Sequence, residues 1–337
     1  MKVGILTSGG DAPGINATIR GVGKTAINNY GMQMIGIQNG FSGLLHKDIV
    51  ELTDPSLSGI LNMGGTILGT AREKVFRKMI NSPDEKDREQ IKNAYNELDL
   101  DCLVCIGGNG TQRTTLMLSE LGLNVVGIPK TIDNDVYGTD ITFGFDTAVN
   151  IATDAIDRLH STASSHRRVM VIELMGHHAG WITLHAGMAG GADIILLPEL
   201  GYNMKVIIGK INQRMEIGKA YSIVAVAEGV ELPVKEHPAT YFAREIEAQT
   251  GYETRETVLG YIQRGGSPSP YDRNLGTLLG GHAAELIHEK KFGRMVAKIG
   301  SDITDVPLSE VGGKLRLVTP DNQLVVQGKK MGISFGI

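Results

Sequence analysis

Short apolar runs alternate along the chain with longer segments in which apolar positions follow a helical period. The runs that are typical of strands buried on both faces of a sheet lie at 3–7, 102–106, 125–128, 169–174 and 222–227. Less regular runs predict further strands at 34–38, 193–197 and 257–262. Helices are predicted at 15–28, 81–97, 147–159, 204–215, 241–250 and 273–289, and after residue 112. This alternation predicts an α/β fold of parallel sheets covered by helices on both faces.

Glycine-rich loops follow two of these strands where a helix begins. Residues 8–14 link the first strand to the first helix, and residues 107–112 link strand 102–106 to a helix that reaches about residue 121. Glycine lets the backbone approach a phosphate, and a helix N-terminus offers N–H groups and the positive end of its dipole. One such loop can be a plain connection, but two in one chain indicate phosphate binding.

An acidic loop, PKTIDND at 129–135, directly follows the strand 125–128. Ligands of α/β sheets bind at the carboxyl ends of strands. One carboxylate, Asp133 or Asp135, could take a proton from a substrate hydroxyl while the other faces a metal ion or its waters. An Asx-rich turn without chemistry explains the same residues, so this loop alone leaves both interpretations open.

Size and composition are those of a soluble protein that can form two domains, because 337 residues exceed an ordinary single core. The net charge of −4 gives no electrostatic reason to expect nucleic acid or a membrane surface as a partner. Cys102 and Cys105 lie three apart on one strand and therefore point to opposite faces. We interpret them as buried thiols in a reducing cytoplasm.

Three arginines lie next to strands in the second half of the chain: Arg168, Arg255 and Arg264. Each alone fits an ordinary surface position. Together they fit the capture of a phosphate monoester, because the guanidinium fork matches phosphate oxygens.

Five motifs in one order resemble the 6-phosphofructokinase family: LTSGGDAPGIN at 6–16, GGNGTQ at 107–112, PKTIDND at 129–135, MGHHAG at 175–180 and LGYIQRGGSP at 259–268. The resemblance implies two doubly wound parallel-sheet domains with the active site in the cleft between them. It implies a larger phosphoryl-donor domain, 1–143 plus about 263–312, and a smaller sugar-phosphate domain, 144–262 plus the C-terminal tail. The resemblance further implies a cytoplasmic homotetramer whose sites are shared between subunits. It also implies Mg²⁺ as the cofactor.

The resemblance also implies roles for single residues. Asp133 would be the base on the sugar 1-hydroxyl, Thr131 would lie beside it, and Arg72 would stabilise the transferring phosphoryl group. The ATP site would comprise Gly10, Arg72, Glu73, Gly108, Asn109, Gly110 and Thr111, with Asn109 at the metal. The fructose 6-phosphate site would comprise Thr131, Ile132, Asp133, Met175, Gly176, His177, Glu228, Tyr261, Ile262, Gln263 and Arg264, with Arg168 and Arg255 reaching a neighbouring subunit's site.

Several positions depart from the best-known bacterial pattern of this family. Asn109 stands where most relatives have a magnesium-associated Asp, and His177 and Tyr261 replace Arg and His. Lys130 is typical of pyrophosphate-using relatives and would place its cation near the donor phosphates, whereas Gly110 is typical of ATP users. Basic residues of the usual effector site are partly replaced, as at Asp54, His160 and Ile217, so that nucleotide activation of the usual kind is not expected.

The leading functional hypothesis is therefore an ATP- and Mg²⁺-dependent kinase that makes fructose 1,6-bisphosphate from fructose 6-phosphate in glycolysis. The nearest alternative is the same transfer from pyrophosphate. A catalytically silent sugar-phosphate-binding subunit and a nucleotide kinase with a glycine-rich loop, such as NAD kinase, are further alternatives. A dinucleotide oxidoreductase is disfavoured, because no GxGxxG follows the first strand.

Overall fold

The structure, a computed structural model, describes residues 1–71 and 85–337. These residues form two compact units, each built from two segments of the chain. The first unit comprises Met1–Asp146 and Arg264–Arg316, and the second comprises Thr147–Gln263 and Leu317–Ile337.

A seven-stranded sheet forms the centre of the first unit, with the order β11-β10-β5-β4-β1-β2-β3. Its strands are β1 (Lys2–Thr7), β2 (Gln33–Ile37), β3 (Ile49–Leu52), β4 (Cys102–Gly107), β5 (Val125–Pro129), β10 (Arg294–Ile299) and β11 (Asp302–Pro307). Its helices are α1 (Ile15–Tyr30), α2 (Phe41–His46), α3 (Glu85–Glu97), α4 (Asn109–Glu120), α9 (Pro270–His288) and α10 (Leu308–Val311). Pairing is parallel except for β2 with β3 and β10 with β11.

The apolar runs of β1, β4 and β5 are buried along their whole length or nearly so. One face of the sheet packs against α1 and α9, and the other packs against α2, α3 and α4. Cys102 belongs to the first of these apolar clusters and Cys105 to the second, which confirms that the thiols point to opposite faces.

The second unit contains a four-stranded parallel sheet with the order β7-β8-β6-β9. Its strands are β6 (Val169–Leu174), β7 (Ile194–Leu196), β8 (Ser222–Ala227) and β9 (Thr254–Val258). Its helices are α5 (Phe145–His166, which begins in the first unit), α6 (Trp181–Ala189), α7 (Met204–Glu216), α8 (Pro238–Thr250) and α11 (Gln323–Lys330). Helices α7 and α8 pack on one face. Gly187 of α6 lies against Ile195 and Ala225 on the other face.

One expectation about a strand was wrong. The strand predicted at 257–262 ends early: β9 covers Thr254–Val258, and Gly260, at φ 56°, begins a 3₁₀ helix over Gly260–Arg264. Apolar residues in that stretch suggested a strand, but β9 is an edge strand that carries charged side chains. The predicted parallel sheets are confirmed, and β3 and the β10–β11 hairpin add antiparallel edges to the first sheet that the sequence did not predict.

Among residues 1–71 and 85–337, no helix has the length and hydropathy that crossing a membrane requires.

Candidate active site

The carboxyl ends of three neighbouring strands bring three loops of the first unit side by side. β4 lies between β1 and β5, with Thr7 opposite Ile106 and Gly107 opposite Pro129. The loops that follow these strands begin at residues 8, 108 and 130. The glycine-rich and acidic loops singled out in the sequence are therefore neighbours at one edge of the sheet, which is where α/β sheets bind ligands.

A buried lysine supports the first glycine-rich loop. The ammonium group of Lys130 donates to the carbonyl oxygen of Ser8 at 3.2 Å and to that of Gly10. Its side chain is almost fully buried, at 2% exposure. Thr70 donates to the carbonyl oxygen of Gly9 at 2.6 Å. The cation thus lies against the carbonyl oxygens of the loop predicted to hold a phosphoryl donor.

The second glycine-rich loop opens directly into α4. Thr111, in the first turn of this helix, donates to the carbonyl oxygen of Ser8 at 3.4 Å and so joins the two loops. Gly110 is exposed, and a Cβ at this position would meet no atom of the described residues within 4 Å. The N-terminal turn of α4 therefore carries no side chain at Gly110, and its first N–H groups have no helical partners.

The acidic loop places two carboxylates close together below the surface. Asp133 and Asp135 are 8% and 7% exposed. Burial, and then the charge of Asp133, raise the pKa of Asp135 to about 6. Thr131 accepts a hydrogen bond from the amide of Asp133 at 3.1 Å, which orients the start of the loop. Crowded, partly desolvated carboxylates of this kind are typical of catalytic sites.

Asn134 gives this loop its shape. It adopts a left-handed φ of 53°, and its side-chain oxygen accepts the amide of Thr142 at 3.0 Å. Arg316 donates to the carbonyl oxygens of Asn134, at 3.1 Å, and Asp135, at 2.8 Å. Asn134 therefore shapes the turn through both its backbone conformation and its side chain.

Asn109 joins the second glycine-rich loop to the acidic loop. Its side-chain amide donates to the carbonyl oxygen of Asp135 at 3.2 Å. Its side-chain oxygen Oδ1 is buried and has no hydrogen-bond partner among the described residues. Within that part of the chain, no group of three or more His, Cys, Asp and Glu residues is arranged to hold a metal ion. An orphaned amide oxygen beside two carboxylates fits a hard cation that takes most of its ligands from elsewhere.

In the second unit, the loops after β6 and β8 bring together another set of the predicted residues. Oε1 of Glu228 accepts the amides of Gly176, at 3.2 Å, and His177, at 2.8 Å. Gln263 accepts the amide of Met175 at 3.3 Å. Gly176 has a φ of 153°, and a Cβ there would lie 2.3 Å from the carbonyl oxygen of Ala179, so only glycine fits.

Burial separates the remaining predicted sugar-site residues into two kinds. Tyr261 and Ile262 of the 3₁₀ helix are 76% and 68% exposed, and Arg264 donates to the carbonyl oxygen of Asp11 at 3.1 Å. Ile132 and Gln263 are fully buried, main chain included.

Arg168 and Arg255 do not lie with the other sugar-site residues of their own unit. Arg168 directly precedes β6 and Arg255 is the second residue of β9, whereas Met175 follows the end of β6. A parallel strand of six residues spans roughly 20 Å. Because the two edges of the sheet are that far apart, these arginines and Met175 cannot touch one phosphate from the same chain.

Arg72 and Glu73 lie outside the described residues. The structure in turn shows contacts that motif reading missed. Glu253 forms ion pairs with both Arg168 and Arg255. Its position directly before β9 and two residues before Arg255 was the available signal. The contact of Arg316 with residues 134 and 135 had no signal, because it joins parts of the chain 182 residues apart.

Comparison with known proteins gives one family and consistent neighbours. Residues 2–287 match the sequence profile of the family Phosphofructokinase. An ATP-dependent 6-phosphofructokinase 3 of Bacteroides thetaiotaomicron is 64% identical, with all of both chains covered. A pyrophosphate–fructose 6-phosphate 1-phosphotransferase of Streptomyces coelicolor is 43% identical, again with all of both chains covered. In fold, a pyrophosphate-dependent phosphofructokinase of Marinobacter aquaeolei matches with a TM-score of 0.84 at 22% identity, over 99% of this chain and 92% of that one.

Proposed function

The chain belongs to the phosphofructokinase family, and we propose that it transfers the γ-phosphoryl group of ATP to the 1-hydroxyl of fructose 6-phosphate. The observation that carries this proposal is the meeting of two glycine-rich loops and the buried Asp133–Asp135 pair at the ends of β1, β4 and β5. Phosphoryl transfer requires a donor cradle, a base and in-line positioning in one place.

Asp133 is the proposed base. Its carboxylate is buried, its loop is fixed through Thr131 and Asn134, and the neighbouring Asp135 makes the addition of a second negative charge costly. A carboxylate held in this way can accept the proton of the sugar 1-hydroxyl as the new O–P bond forms. Arg72 is proposed to neutralise charge on the transferring group.

The donor site is proposed to consist of the first two loops. Gly10 and the turn formed by Gly108, Gly110 and Thr111 offer main-chain N–H groups to the phosphates, and Glu73 is a further proposed contact. The absence of a side chain at Gly110, where a Cβ would meet no described atom within 4 Å, supports a nucleotide over pyrophosphate, because a donor with a ribose and base needs room beyond its phosphates. Lys130 stabilises the first of these loops by hydrogen bonds to the carbonyl oxygens of Ser8 and Gly10.

Mg²⁺ is the proposed cofactor, and it neutralises charge on the donor phosphates when bound. Asn109 Oδ1, buried without a partner among the described residues, is the proposed protein contact, with Asp135 nearby. Magnesium usually keeps several waters and binds substrate phosphates with few protein ligands. The scarcity of acidic ligands described above therefore agrees with this cofactor.

The sugar phosphate is proposed to bind at the loops that follow β6 and β8. Residues proposed to hold it are Met175, Gly176, His177, Glu228, Tyr261, Ile132, Gln263, which accepts a hydrogen bond from the amide of Met175, and Arg264. Arg168 and Arg255, at the far edge of the sheet, are proposed to serve the site of a neighbouring copy, and the placement of these two residues supports a homotetramer with shared sites.

Pyrophosphate is the second candidate donor. Lys130 is typical of pyrophosphate users, and a relative 43% identical carries the name of such an enzyme. A coupled assay of fructose 6-phosphate with either donor, with and without Mg²⁺, tests both candidates. We expect product with ATP and Mg²⁺. Product with pyrophosphate alone would reassign the donor, and no product with either would overturn the kinase proposal.

The cellular location is proposed to be the cytoplasm. Cys102 and Cys105 are buried as free thiols, which agrees with a reducing compartment.

A further inference from the structure

Glu253 lies between the two arginines at the amino-terminal edge of the second unit's sheet. Its Oε2 is 2.7 Å from Nε of Arg168, and its Oε1 contacts Nη2 of Arg255. The pairing of β6 with β9 creates this arrangement, because Val169 lies opposite Thr254 and the amide of Val169 donates to the carbonyl oxygen of Glu253 at 3.0 Å. The three charged side chains therefore share one face of two adjacent strands.

The carboxylate of Glu253 contacts only some of the N–H groups of Arg168 and Arg255. Nε of Arg168 is buried, although 26% of that side chain is exposed, and its contact with Glu253 is an ion pair by distance without the angle of a hydrogen bond. For Arg255, whose side chain is 51% exposed, Nη1 donates to the carbonyl oxygen of Thr254 at 3.0 Å. An arginine has five N–H donors. A single carboxylate at Nε and Nη2 thus leaves other N–H donors of both guanidinium groups for a ligand.

Two guanidinium groups placed together repel each other unless an anion lies between them. Arg168, then Arg255 and His166, hold the pKa of Glu253 below its usual value despite some opposing burial, so this anion is charged at neutral pH. Glu247, on α8, is a weaker partner, with Oε2 3.9 Å from Nη1 of Arg255. Glu253 is therefore the carboxylate that contacts both arginines among the described residues.

We propose that Glu253 is a positioning residue that joins Arg168 and Arg255 into one preorganised surface for the phosphate of the sugar substrate. The proposal rests on the proposed function, in which these arginines bind that phosphate. Fixing both guanidinium groups before the ligand arrives lowers the entropy lost on binding. Glu253 does not touch the reacting atoms, so it acts on affinity for the phosphate and not on the chemical step.

The test uses the full-length enzyme and compares Glu253→Gln with wild type. The variant keeps the size of the side chain and removes its charge. We expect KM for fructose 6-phosphate to rise about tenfold, the equivalent of one lost charged contact, with kcat and KM for ATP within about twofold. Calorimetric titration with fructose 6-phosphate alone should show the same loss of affinity. An unchanged or lowered KM would overturn the proposal, since a lowered value means that the carboxylate competes with the phosphate.

A double-mutant cycle separates positioning from a general effect of charge. In an Arg255→Ala background, Glu253→Gln should raise KM for fructose 6-phosphate by less than about twofold, because the arginine pair that Glu253 organises is already broken. Full additivity would count against the proposal. Glu256→Gln is the matched control, since Glu256 lies on the same strand with its side chain on the other face, and it should leave KM unchanged. If KM in Glu256→Gln rises as much as in Glu253→Gln, the effect is one of net charge, and the inference is overturned.

Glu253→Asp, which keeps the charge, should recover part of the affinity, and failure to do so with a normal melting temperature would contradict the proposal. Wild-type turnover distinguishes failure of the proposed function from failure of the proposed role of Glu253. An inactive wild-type enzyme with both donors would reject the proposed function, whereas an active one with unaffected Glu253 variants would reject this inference alone.

Discussion

The ammonium group of Lys130 donates a hydrogen bond to the carbonyl oxygen of Ser8 at 3.2 Å. The two residues follow β5 and β1, and the same ammonium group also contacts the carbonyl oxygen of Gly10. A buried cation thereby fixes the glycine-rich loop that begins the proposed donor site. The sequence predicts that this charge lies near the donor phosphates, and in the structure the amine is directed at the protein's own main chain.

Replacing Lys130 tests its effect on the choice of donor. Pyrophosphate has no ribose or base, so its binding depends more on nearby cations than the binding of ATP does. Lys130→Gly should shift the ratio of kcat/KM for ATP to that for pyrophosphate roughly tenfold towards ATP, the size of one charged contact. If wild type does not turn over pyrophosphate, its inhibition constant against ATP replaces the second rate. Lys130→Met, which keeps bulk without charge, separates the two contributions, and an unchanged ratio in both variants would remove Lys130 from donor choice.

Asp133→Ser tests the proposed base. Without a proton acceptor, the sugar hydroxyl is a poor nucleophile, and kcat should fall by roughly 10²–10⁴-fold. KM for both substrates should change little, because the side chain accepts a proton and is not proposed to anchor either phosphate. Steady-state kinetics with the purified variant give both numbers. Near-normal turnover would assign the base to another group.

The elements best predicted from the sequence were those whose side chains are buried on both faces of a sheet. The apolar runs of β1, β4, β5 and β6 are visible because every position is apolar or nearly so. The strands β3 and β11 are mostly exposed or half-buried, and backbone pairing with a neighbour strand stabilises them, so their side chains carry no pattern.

In the candidate site, too, the sequence predicted some features and not others. Motifs identified Asp133 and the glycine-rich loops, because these residue types are tied to chemistry at strand ends. They did not identify the main-chain contacts of Lys130, or Arg316 bonded to Asn134 and Asp135. Such contacts depend on which distant segments the fold brings together, and any residue supplies a carbonyl oxygen. Sequence patterns cannot encode them for that reason.

Mixed assemblies test whether sites are shared between subunits. Asp133→Ser chains lack the base but keep Arg255, and Arg255→Ala chains keep the base. If Arg255 serves a neighbour's site, mixing the two impaired forms under exchange conditions, at a fructose 6-phosphate concentration well below the KM of Arg255→Ala, should restore part of the activity, because some sites then contain both groups. Native mass spectrometry must show that mixed assemblies form. Mixed assemblies without recovered activity would count against shared sites.

The pKa of Asp135 predicts a pH dependence of stability. Burial, then the charge of Asp133, raise this pKa to about 6 from 3.8, so folding favours the protonated form. The contribution to stability is fully present below about pH 4 and is lost as pH rises through about 6, with a span of at most about 3 kcal/mol. Urea unfolding of wild type and Asp135→Asn between pH 4 and 8 measures it. The stability of wild type relative to the variant should fall with rising pH, and a constant difference would contradict the shifted pKa.

The last prediction concerns Asn109 and magnesium. Its amide nitrogen donates to the carbonyl oxygen of Asp135, and its Oδ1 is buried without a partner among the described residues. A neutral amide oxygen attracts a hard cation less strongly than a carboxylate does. Asn109→Asp should therefore lower the free magnesium concentration that gives half-maximal rate, measured with the donor–magnesium complex held constant.

A purely structural role for Asn109 gives a different outcome in the same titration. If its side chain only shapes the start of α4, the aspartate keeps the ability to stabilise a helix N-terminus, and the magnesium dependence stays where it was. Losing the hydrogen bond from the Asn109 amide to residue 135 would lower the melting temperature on either view. Asn109→Ala, which supplies no oxygen ligand, is the matched control: it should require more magnesium than wild type if Oδ1 contacts the ion, and the same amount if it does not.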